Sequence, residues 1–387
     1  MTGRSPPRLA VIFDAAEERW PSMDLVAEML LAELQRNHRH VVHAEGLHPR
    51  FVTLFEAFPG LSERLRFNLN RAATRFLTYP VELLPRRARF DLFHVADHSY
   101  GQLAHLLPAS RTGVFCHDLN AFSSLLAPGS QRPAQWRKAM AWAQLRGLQR
   151  AAVVFYSTEQ VRAELLDLGL VDPERLVKAP YGVAPEFWNS TGGESELPAG
   201  ALPDRPFLLH VGSSVPRKRL DVLFRVFGAL HERRPELVLV QQGAHLHAGH
   251  RKLIADLGIA DAVIQPPPLT RRALAALYRS AALVLLPSEK EGFGLPVIEA
   301  LAAGATVVAS EIPAFREVAH GAVVYCRVGD IEEWVETVTR LLEDPGHAPP
   351  RAVREARARH FTWERHAQVI ADTYASLLEG SRPESID

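Results

Sequence analysis

The chain has 387 residues, of which 47% are hydrophobic and 23% are charged, and its 44 basic residues balance its 44 acidic ones. This length fits two domains of about 150–200 residues better than one, and the balanced charge argues against a nucleic-acid-binding protein. Cys116 and Cys326 are the only cysteines, so the sequence contains neither a disulfide framework nor a cysteine-based zinc motif.

Targeting signals are not evident in the sequence. Residues 1–8 are polar and lead directly into a predicted strand, which is not the pattern of a secretory signal. No run of about 20 apolar residues occurs that could span a bilayer. We therefore expect a cytoplasmic protein.

The first half of the chain alternates between predicted strands and helices. Hydrophobic periodicity predicts strands at 8–14, 90–95, 112–116 and 153–157. It predicts helices at 23–34 and 159–168, the second ended by Gly169. Alternation of this kind is typical of parallel sheets covered by helices on both faces.

The second half repeats this pattern after a segment rich in serine, glycine and proline. We interpret residues 189–206 as a linker because they show no apolar period. Strands are then predicted at 207–211, 237–240 and 281–287, with helices at 220–233 and 363–378. The sequence therefore predicts an α/β protein with two doubly wound domains.

Polar side chains follow several of the predicted strands in the first half. His117 comes directly after the strand at 112–116, and Asp97 and His98 follow the strand at 90–95. Open parallel sheets bind ligands at the carboxyl ends of their strands. Asp97 and His98 could therefore hold a hydroxyl group of a bound ligand that accepts a transferred group. A metal site with His94 lacks a fourth ligand, and ordinary loop structure remains the alternative. In the acidic loop 14–22, Trp20 could stack on a sugar.

Two segments of the first half are strongly basic. Residues 61–90 contain seven arginines and only two acids, interleaved with leucine and phenylalanine, and residues 131–150 contain five basic residues and no acid. Basic amphipathic segments fit an anionic membrane surface or a lipid-diphosphate substrate. Solvated helix faces are the alternative interpretation.

The most informative motif is Glu-Gly-Phe-Gly-Leu-Pro-Val-Ile-Glu at 291–299, directly after a predicted buried strand. Its glycines permit a sharp turn, and Pro296 suits the first turn of a helix. The positive end of that helix could seat a phosphate. Glu291 and Glu299 would repel a bare phosphate, but they could accept hydrogen bonds from the hydroxyls of a nucleotide-sugar. The alternative is that the two glutamates only stabilise the helix terminus or face solvent.

Residues 291–299 resemble the paired-glutamate signature of retaining glycosyltransferases of family 4. The resemblance extends to the strand–glycine–loop–lysine element at 209–218, to 274–281 and 299–304, and to 361–363 at the start of the last helix. It covers residues 205–375 well. The first half is less similar, mainly at 117–118 and 181–183.

This resemblance implies the GT-B fold, in which two Rossmann-like domains face a central cleft. The acceptor-side domain would comprise residues 1–190 and the nucleotide-sugar-binding domain residues 205–362. The last helix, 363–380, would cross back to the first domain.

The resemblance also implies roles for individual residues. The catalytic set would be His117, Glu291, Lys218 and Arg217. The set that binds the sugar donor would be Gly212, Ser213, Phe293, Gly294, Leu295 and Glu299. Two departures from the family pattern stand out: Ser213 occupies a position where the family often has arginine, and loop 14–22 lacks the usual glycine-rich turn.

The predicted activity is hexosyl transfer (EC 2.4 class) from a nucleotide-sugar such as a UDP- or GDP-hexose to an acceptor hydroxyl, with retained anomeric configuration. No Asp-x-Asp motif occurs, so we expect neither a metal nor a cofactor. The acceptor would be a sugar or a lipid-linked molecule, as in polysaccharide or glycolipid synthesis, with peripheral membrane contact through 61–90 and 131–150. The alternatives are a nucleotide-sugar-binding protein without transferase activity and a GT-B epimerase.

Overall fold

The computed structural model describes residues 5–380, except for residue 19, residue 59 and the segments 127–134, 189–192, 199–202 and 244. The chain forms two compact units. The first unit comprises residues 1–182 together with 363–387, and the second comprises residues 183–362. Of the predicted basic segment 131–150, residues 131–134 lie outside the described part, as does Arg19 of the acidic loop.

The first unit is built on a six-stranded parallel sheet with the strand order β2-β1-β3-β4-β5-β6. Its strands are β1 Arg8–Ile12, β2 His43–Leu47, β3 Leu92–Val95, β4 Thr112–Cys116, β5 Val153–Tyr156 and β6 Leu176–Lys178. Its helices before residue 182 are α1 Pro21–Asn37, α2 Glu63–Ala73, α3 Tyr79–Arg86, α4 Ser123–Leu126, α5 Gln135–Arg150 and α6 Glu159–Asp167.

The second unit has its own six-stranded parallel sheet, ordered β12-β11-β10-β7-β8-β9. Its strands are β7 Phe207–Val211, β8 Val238–Gln242, β9 Val263–Ile264, β10 Leu283–Leu286, β11 Val307–Ser310 and β12 Val324–Cys326. Its helices are α7 Pro185–Trp188, α8 Leu220–Arg233, α9 Ala248–Asp256, α10 Arg271–Ser280, α11 Leu295–Ala302, α12 Pro313–Ala319, α13 Ile331–Glu343 and α14 Arg351–Ala358.

Continuous apolar runs form the central strands. Every residue of β4, β5 and β10 is buried, as expected for parallel strands that carry helices on both faces. Local signals set the helix ends: the Thr158 hydroxyl accepts a hydrogen bond from the Val161 N–H at the start of α6. Gly169, with φ of 59°, follows the end of that helix.

The last helix, α15 Trp363–Glu379, belongs to the first unit. His366 Nδ1 lies 3.0 Å from the Pro180 carbonyl oxygen. The Tyr374 hydroxyl donates to the Phe93 carbonyl 2.9 Å away and lies 3.0 Å from His94 Nδ1. The helix therefore closes one face of the first sheet with buried polar contacts. Within the described residues, no helix is both long and apolar enough to cross a membrane.

The predicted linker at 189–206 is only partly described. Residues 193–198 pack onto α10 of the second unit, where Arg279 lies 3.4 Å from Glu194 and Arg272 lies 3.2 Å from Glu196. A Cβ on Gly193 would come within 2.2 Å of the Arg272 carbonyl oxygen, so this glycine permits the close approach. Residues 189–192 and 199–202 lie outside the described residues.

Each sheet contains one point at which the strand order reverses direction. In the first unit the chain continues from β1 to β2 on one side and later places β3 on the other. In the second unit β8 and β10 flank β7 in the same way. Loops that follow the strands at such a switch point diverge and leave a crevice, the usual ligand site of an open parallel sheet.

Candidate active site

The switch point of the second unit brings together two predicted motifs. Gly212 directly follows β7, and the loop that carries Glu291 follows the neighbouring strand β10. Strands β7 and β10 are hydrogen-bonded in parallel, with Leu283 opposite Leu208. Both loops therefore leave the sheet at the same edge, so residues about 80 positions apart in sequence become neighbours.

Glu291 lies at the centre of this group. Its Oε1 atom is 2.6 Å from Lys218 Nζ and accepts a hydrogen bond from the Ser288 hydroxyl at 2.7 Å. Its Oε2 atom accepts a hydrogen bond from Arg217 Nη1 at 2.5 Å. The residue is only 5% exposed. Burial opposes its ionisation, but Lys218 and Arg217 outweigh that effect and lower its pKa. Glu291 is therefore a buried, ionised carboxylate between two cations.

The two cations are positioned by a short 3-10 turn over Pro216–Lys218. Arg217 Nη1 also donates to the Lys290 carbonyl at 3.0 Å, and the Glu289 N–H donates to the Arg217 carbonyl at 2.8 Å. These contacts tie the loop after β7 to the loop after β10. Ser213, predicted to contact the sugar donor, is exposed.

Gly212 is close to the side chains around it. A Cβ at this position would lie 3.0 Å from His210 Cε1 and 3.5 Å from Lys218 Cδ. The Gly212 carbonyl accepts a hydrogen bond from Gln241 Nε2 at 3.0 Å. The missing side chain thus leaves the main chain close to the Lys218 stem, as expected where a ligand approaches the backbone.

Gly294 begins the helix α11. Its φ of 101° is in the left-handed region, and a Cβ there would lie 2.6 Å from Phe315 Cε1. Leu295 is the first residue of α11, and Pro296 follows within the first turn. This turn therefore requires glycine for two independent reasons. It places the positive end of a buried helix four residues after Glu291 in the chain.

Glu299 lies in the second turn of α11 and is 8% exposed. The Tyr278 hydroxyl donates a hydrogen bond to Glu299 Oε2 at 3.1 Å. Burial raises the pKa of Glu299 to about 7, against the smaller opposing effects of Tyr278, Arg271 and Lys218. The two predicted glutamates therefore differ: Glu291 is firmly ionised, whereas Glu299 titrates near neutral pH.

The sequence did not predict several side chains around this site. Ser288 and Tyr278 bind the two glutamates, and His210 is fully buried beneath Gly212. Burial, with a smaller contribution from Lys218, lowers the pKa of His210 to about 3, so it is neutral. Its position on β7, two residues before Gly212, would have been the only signal in the sequence.

The segment 264–270, which begins at the end of β9, reaches the same edge of the sheet. Gln265 Nε2 donates to Gln241 Oε1 at 2.9 Å. Gln241 in turn donates to Gly212 and is fully buried. A chain of amide contacts thus connects this segment to the loop that carries Lys218.

In the first unit, the switch point brings Asp14 and Asp97 together. Asp14 follows β1 and Asp97 follows β3, and these strands are paired. Among the described residues, Asp14 has no N–H or O–H partner, although it is only 8% exposed. Burial and the charge of Asp97 raise the pKa of Asp14 well above its usual range. Burial also opposes ionisation of Asp97, but His98, His117, the hydrogen bond with Asp14 and the Ser99 N–H lower its pKa to about 2. The pair therefore holds one proton, on Asp14.

His98 and His117 lie beside this pair. His98 Nδ1 is 3.3 Å from Asp97 Oδ1 and accepts the His117 N–H at 3.3 Å. His117 Nε2 donates to the Ala96 carbonyl at 2.8 Å, and its Nδ1 contacts the Tyr181 hydroxyl. Burial lowers the pKa of His117 to about 4. Both ring nitrogens of His117 are thus engaged within the first unit, and the predicted contact with a sugar stays a prediction.

A buried ion pair supports the loop before Trp20. Arg75 binds the Glu18 carboxylate with Nε at 2.6 Å and also through Nη2, and the Tyr100 hydroxyl donates to Glu18 at 2.6 Å. Trp20 is 46% exposed, and its indole N–H donates to Glu18 at 3.3 Å. An indole that is held at its N–H and open on its remaining surface suits stacking on a sugar.

The alternative metal site with His94, Asp97 and His98 does not form. The His94 side chain contacts the Tyr374 hydroxyl of α15. Within the described ranges, no group of three histidine, cysteine or acidic side chains is arranged to hold a metal ion. Cys116 is fully buried, and burial raises its pKa well above the usual range. It packs as a small apolar side chain.

Comparison with known proteins identifies the family. The family described as glycosyl transferases group 1 matches residues 196–360, and the glycosyl transferase 4-like domain matches residues 22–182. The D-inositol 3-phosphate glycosyltransferase of Frankia alni is 32% identical over 75% of this chain and 75% of its own length. The protein of that name from Salinispora arenicola is 34% identical over 59% of this chain, but the match spans just over half (56%) of that relative.

A solved structure shows the same fold. HepE from Anabaena, determined in complex with UDP-glucose, superimposes with a TM-score of 0.71 over 96% of this chain and all of its own, at 16% identity. The predicted family and fold class are therefore confirmed. The chain belongs to the glycosyl transferases group 1, and its two units are the Rossmann-like halves of a GT-B glycosyltransferase.

Proposed function

We propose that this protein transfers a hexose from a nucleoside-diphosphate sugar to an acceptor hydroxyl, with retention of configuration and without a metal ion. The observation that carries the proposal is the buried Glu291 carboxylate held between Lys218 and Arg217 beside the start of α11. Two positive charges and one negative charge leave a net charge of +1 in this group. Such a group attracts a diphosphate while keeping one carboxylate for sugar hydroxyls.

Leaving-group stabilisation would come from this same group. Departure of the nucleoside diphosphate develops negative charge on the bridging oxygen. Lys218, Arg217 and the positive end of α11 are already fixed in place, so they would stabilise that charge without reorganising. They supply the positive charge that a metal ion provides in other transferases, which is why we propose a metal-independent reaction.

Retention without a covalent enzyme intermediate is favoured by the surroundings of Glu291. Its oxygens accept hydrogen bonds from Ser288 and Arg217 and are paired with Lys218, and its pKa is lowered. A carboxylate in that state is a weak base and a poor nucleophile. We therefore propose front-face displacement, in which the leaving phosphate oxygen takes the proton of the acceptor hydroxyl as the new glycosidic bond forms.

The nucleotide moiety would be held by Glu299 and by main chain around Gly212. Glu299 is one helical turn from the proposed phosphate seat and could accept hydrogen bonds from two ribose hydroxyls. Phe293, Gly294 and Leu295 would provide main-chain contacts to the sugar and the distal phosphate. We propose a UDP- or GDP-hexose as the sugar donor; the solved complex of HepE contains UDP-glucose.

The acceptor would bind to the first unit at Asp14, Asp97 and His98, with Trp20 stacking on its apolar face. A carboxylate pair that carries one proton can both accept and donate hydrogen bonds, which suits a polyol. The relatives named above act on D-inositol 3-phosphate according to their names, so a phosphorylated polyol is one acceptor to test. We also propose a sugar or lipid-linked acceptor reached through peripheral membrane contact of the basic segments.

The test begins with thermal denaturation in the presence of UDP, GDP, ADP and their hexose conjugates, because a ligand of the native state raises the melting temperature. The best sugar donor is then incubated with polyol, sugar and lipid acceptors, with and without EDTA. NMR of the product should show the anomeric configuration of the donor. Nucleotide binding without turnover of any donor, or loss of turnover in EDTA, would overturn the corresponding part of the proposal.

A further inference from the structure

An apolar stripe faces outward on the helical segment that follows α2. Residues 74–89 continue α2 through a π-helical turn at Thr74–Thr78, then α3, then a 3-10 turn at Arg87–Arg89. Leu77 is 62% exposed, Val81 68% and Leu84 41%. Their spacing of four and three residues places all three on one face of the helix. We call Leu77, Val81 and Leu84 the outer stripe.

The opposite face of the same segment already anchors it to the first unit. Tyr79 and Leu83 are each 1% exposed and belong to the core cluster of the first unit. The Tyr79 hydroxyl donates to the Leu47 carbonyl at 2.7 Å. The segment is therefore apolar on two faces, whereas a helix that only covers a core needs polar residues on its solvent side. The exposed parts of the outer stripe do not contribute to the packing of this unit.

Arginines surround the outer stripe. Arg86, Arg87 and Arg89 follow it directly, and residues 61–90 contain seven arginines against Glu63 and Glu82. Acids neutralise some of them, since Arg75 is bound to Glu18 and Arg89 lies 3.6 Å from Glu45. Arg64 and Arg87 are exposed. The segment thus combines exposed apolar side chains with excess positive charge.

Helix α5 adds to the same charge excess. Residues 135–150 contain four basic residues and no acid. Trp136 and Trp142 on α5 are 52% and 54% exposed, and the guanidinium groups of Arg137 and Arg146 lie over their rings. Tryptophan and arginine together are typical of side chains at a membrane–water interface.

The second unit lacks this surface. In the described part of the chain, the second unit exposes only two large hydrophobic residues, Val328 and Val353. The first unit exposes many more, including the outer stripe, both α5 tryptophans, Leu54, Phe58 and Leu65. Single exposed apolar residues are ordinary. A helical row of them beside arginines on one unit only indicates an interaction surface.

We propose that the outer stripe and its flanking arginines bind the first unit to an anionic lipid surface, with Leu77, Val81 and Leu84 entering the headgroup region and Arg86 and Arg87 binding lipid phosphates. This inference rests on the proposed function insofar as it gives peripheral membrane contact a defined element. A second copy of the chain is a less suitable occupant. A two-fold interface here would bring the arginines of the two copies together, and like charges repel.

Vesicle flotation tests the proposal. The full chain should float with vesicles of phosphatidylglycerol and phosphatidylcholine, should not float with phosphatidylcholine alone, and should be released by salt. The double variant Leu77→Gln with Val81→Gln should bind anionic vesicles at least about tenfold more weakly, since it removes apolar area from the contact. Arg86→Gln and Arg87→Gln should each weaken binding about fivefold.

Matched controls come from the second unit. Val328→Gln with Val353→Gln removes exposed apolar residues, and Arg225→Gln with Arg233→Gln removes exposed arginines of α8; neither pair should alter flotation. Turnover with a water-soluble acceptor should be unchanged in all these variants, so loss of membrane binding and loss of transferase activity are separable. Flotation of the Leu77/Val81 variant equal to that of the wild type would overturn the proposal. So would a dimer in solution that this variant dissociates.

Discussion

Lys218 Nζ lies 2.6 Å from Glu291 Oε1, and the two residues reach each other from loops that follow adjacent strands of the second sheet. With Arg217 on the other carboxylate oxygen, the ligand-free site contains a buried charge cluster in which every member has a partner. An incoming diphosphate would therefore meet two cations that are already fixed in place by Glu291. The group keeps a net charge of +1, which favours the binding of an anion.

Replacing Lys218 by alanine should separate catalysis from folding. Turnover of the sugar donor should fall about 10²–10³-fold, the usual effect of removing one preorganised group that stabilises a developing anion. Stability should fall by about 2 kcal/mol, because Glu291 keeps Arg217 and Ser288 as partners. Steady-state kinetics and urea denaturation measure the two effects.

The matched control is Lys252→Ala. Lys252 lies on α9 of the same unit, where it is exposed and pairs with Asp256 at 2.7 Å. This variant should retain both turnover and stability. If the turnover rate of Lys218→Ala were within about twofold of the rate of Lys252→Ala, Lys218 would have no part in the proposed mechanism.

The turn at Gly294 gives a prediction about folding. Gly294→Ala places a side chain at φ of 101° and within 2.6 Å of Phe315, so it should cost about 3 kcal/mol or more. Gly258→Ala is the matched comparison, since φ there is 67° but no atom lies within 4 Å of the added Cβ. It should cost only about 1 kcal/mol. Urea denaturation of both variants measures the difference, and equal losses would mean that Phe315 moves aside freely.

The sequence predicted the elements well wherever apolar periodicity was strong. The predicted strands at 112–116 and 207–211 and the predicted helix at 220–233 have these bounds in the structure. The strand at 8–14 is shorter than predicted: β1 ends at Ile12, and after the Phe13 N–H has bonded to the Leu47 carbonyl the chain turns into the switch-point loop at Asp14. Continuous buried runs specify a strand, but the point at which a strand ends depends on its neighbours.

The pairings within the site could not be predicted in the same way. The family resemblance singled out Glu291, Lys218 and Arg217 as separate contacts for a ligand, whereas the structure pairs both cations with Glu291. Their partnership depends on the order of strands β7 and β10 in the sheet, which lies outside any single motif. The Asp14–Asp97 pair likewise joins residues 83 positions apart through neighbouring strands, and only the strand order places them together.

The Asp14–Asp97 pair should give opposite stability changes when each aspartate becomes asparagine. Because the pKa of Asp14 is raised in the folded protein, its protonated form stabilises the fold at low pH. This stabilisation is lost as the pH rises through the pKa that Asp14 has in the folded protein. An asparagine side chain mimics the protonated carboxyl group, so Asp14→Asn should stabilise the protein at pH 8 and have little effect near pH 4. The lowered pKa of Asp97, about 2, means that its contribution is present above the unfolded pKa. Asp97→Asn should therefore destabilise at pH 8.

Urea denaturation of both variants at pH 4 and pH 8 provides the measurement. A destabilised Asp14→Asn variant at pH 8 would place the shared proton elsewhere. If the pair also binds the acceptor, both variants should raise the Michaelis constant of the acceptor and leave that of the sugar donor unchanged. Trp20→Ala should show the same selectivity.

Glu299 should make binding of the sugar donor depend on pH. Burial raises its pKa to about 7, so in the empty protein it is about half protonated at neutral pH. Ribose hydroxyls that donate to the ionised carboxylate would lower this pKa and expel the proton. Affinity should then rise as pH increases, by up to about tenfold per pH unit below pH 7, and level off above it.

Calorimetry with the intact nucleotide-sugar, in two buffers of different ionisation enthalpy, measures both the affinity and the protons released. The intact sugar conjugate is needed because the terminal phosphate of a free nucleoside diphosphate itself titrates near pH 6. Glu299→Gln should bind with little pH dependence and release no proton. Tyr278→Phe keeps the carboxylate but removes the hydroxyl that donates to it at 3.1 Å, so the midpoint of the pH dependence should move upward. Proton release that persists in Glu299→Gln would assign the titrating group to another residue, because glutamine cannot ionise.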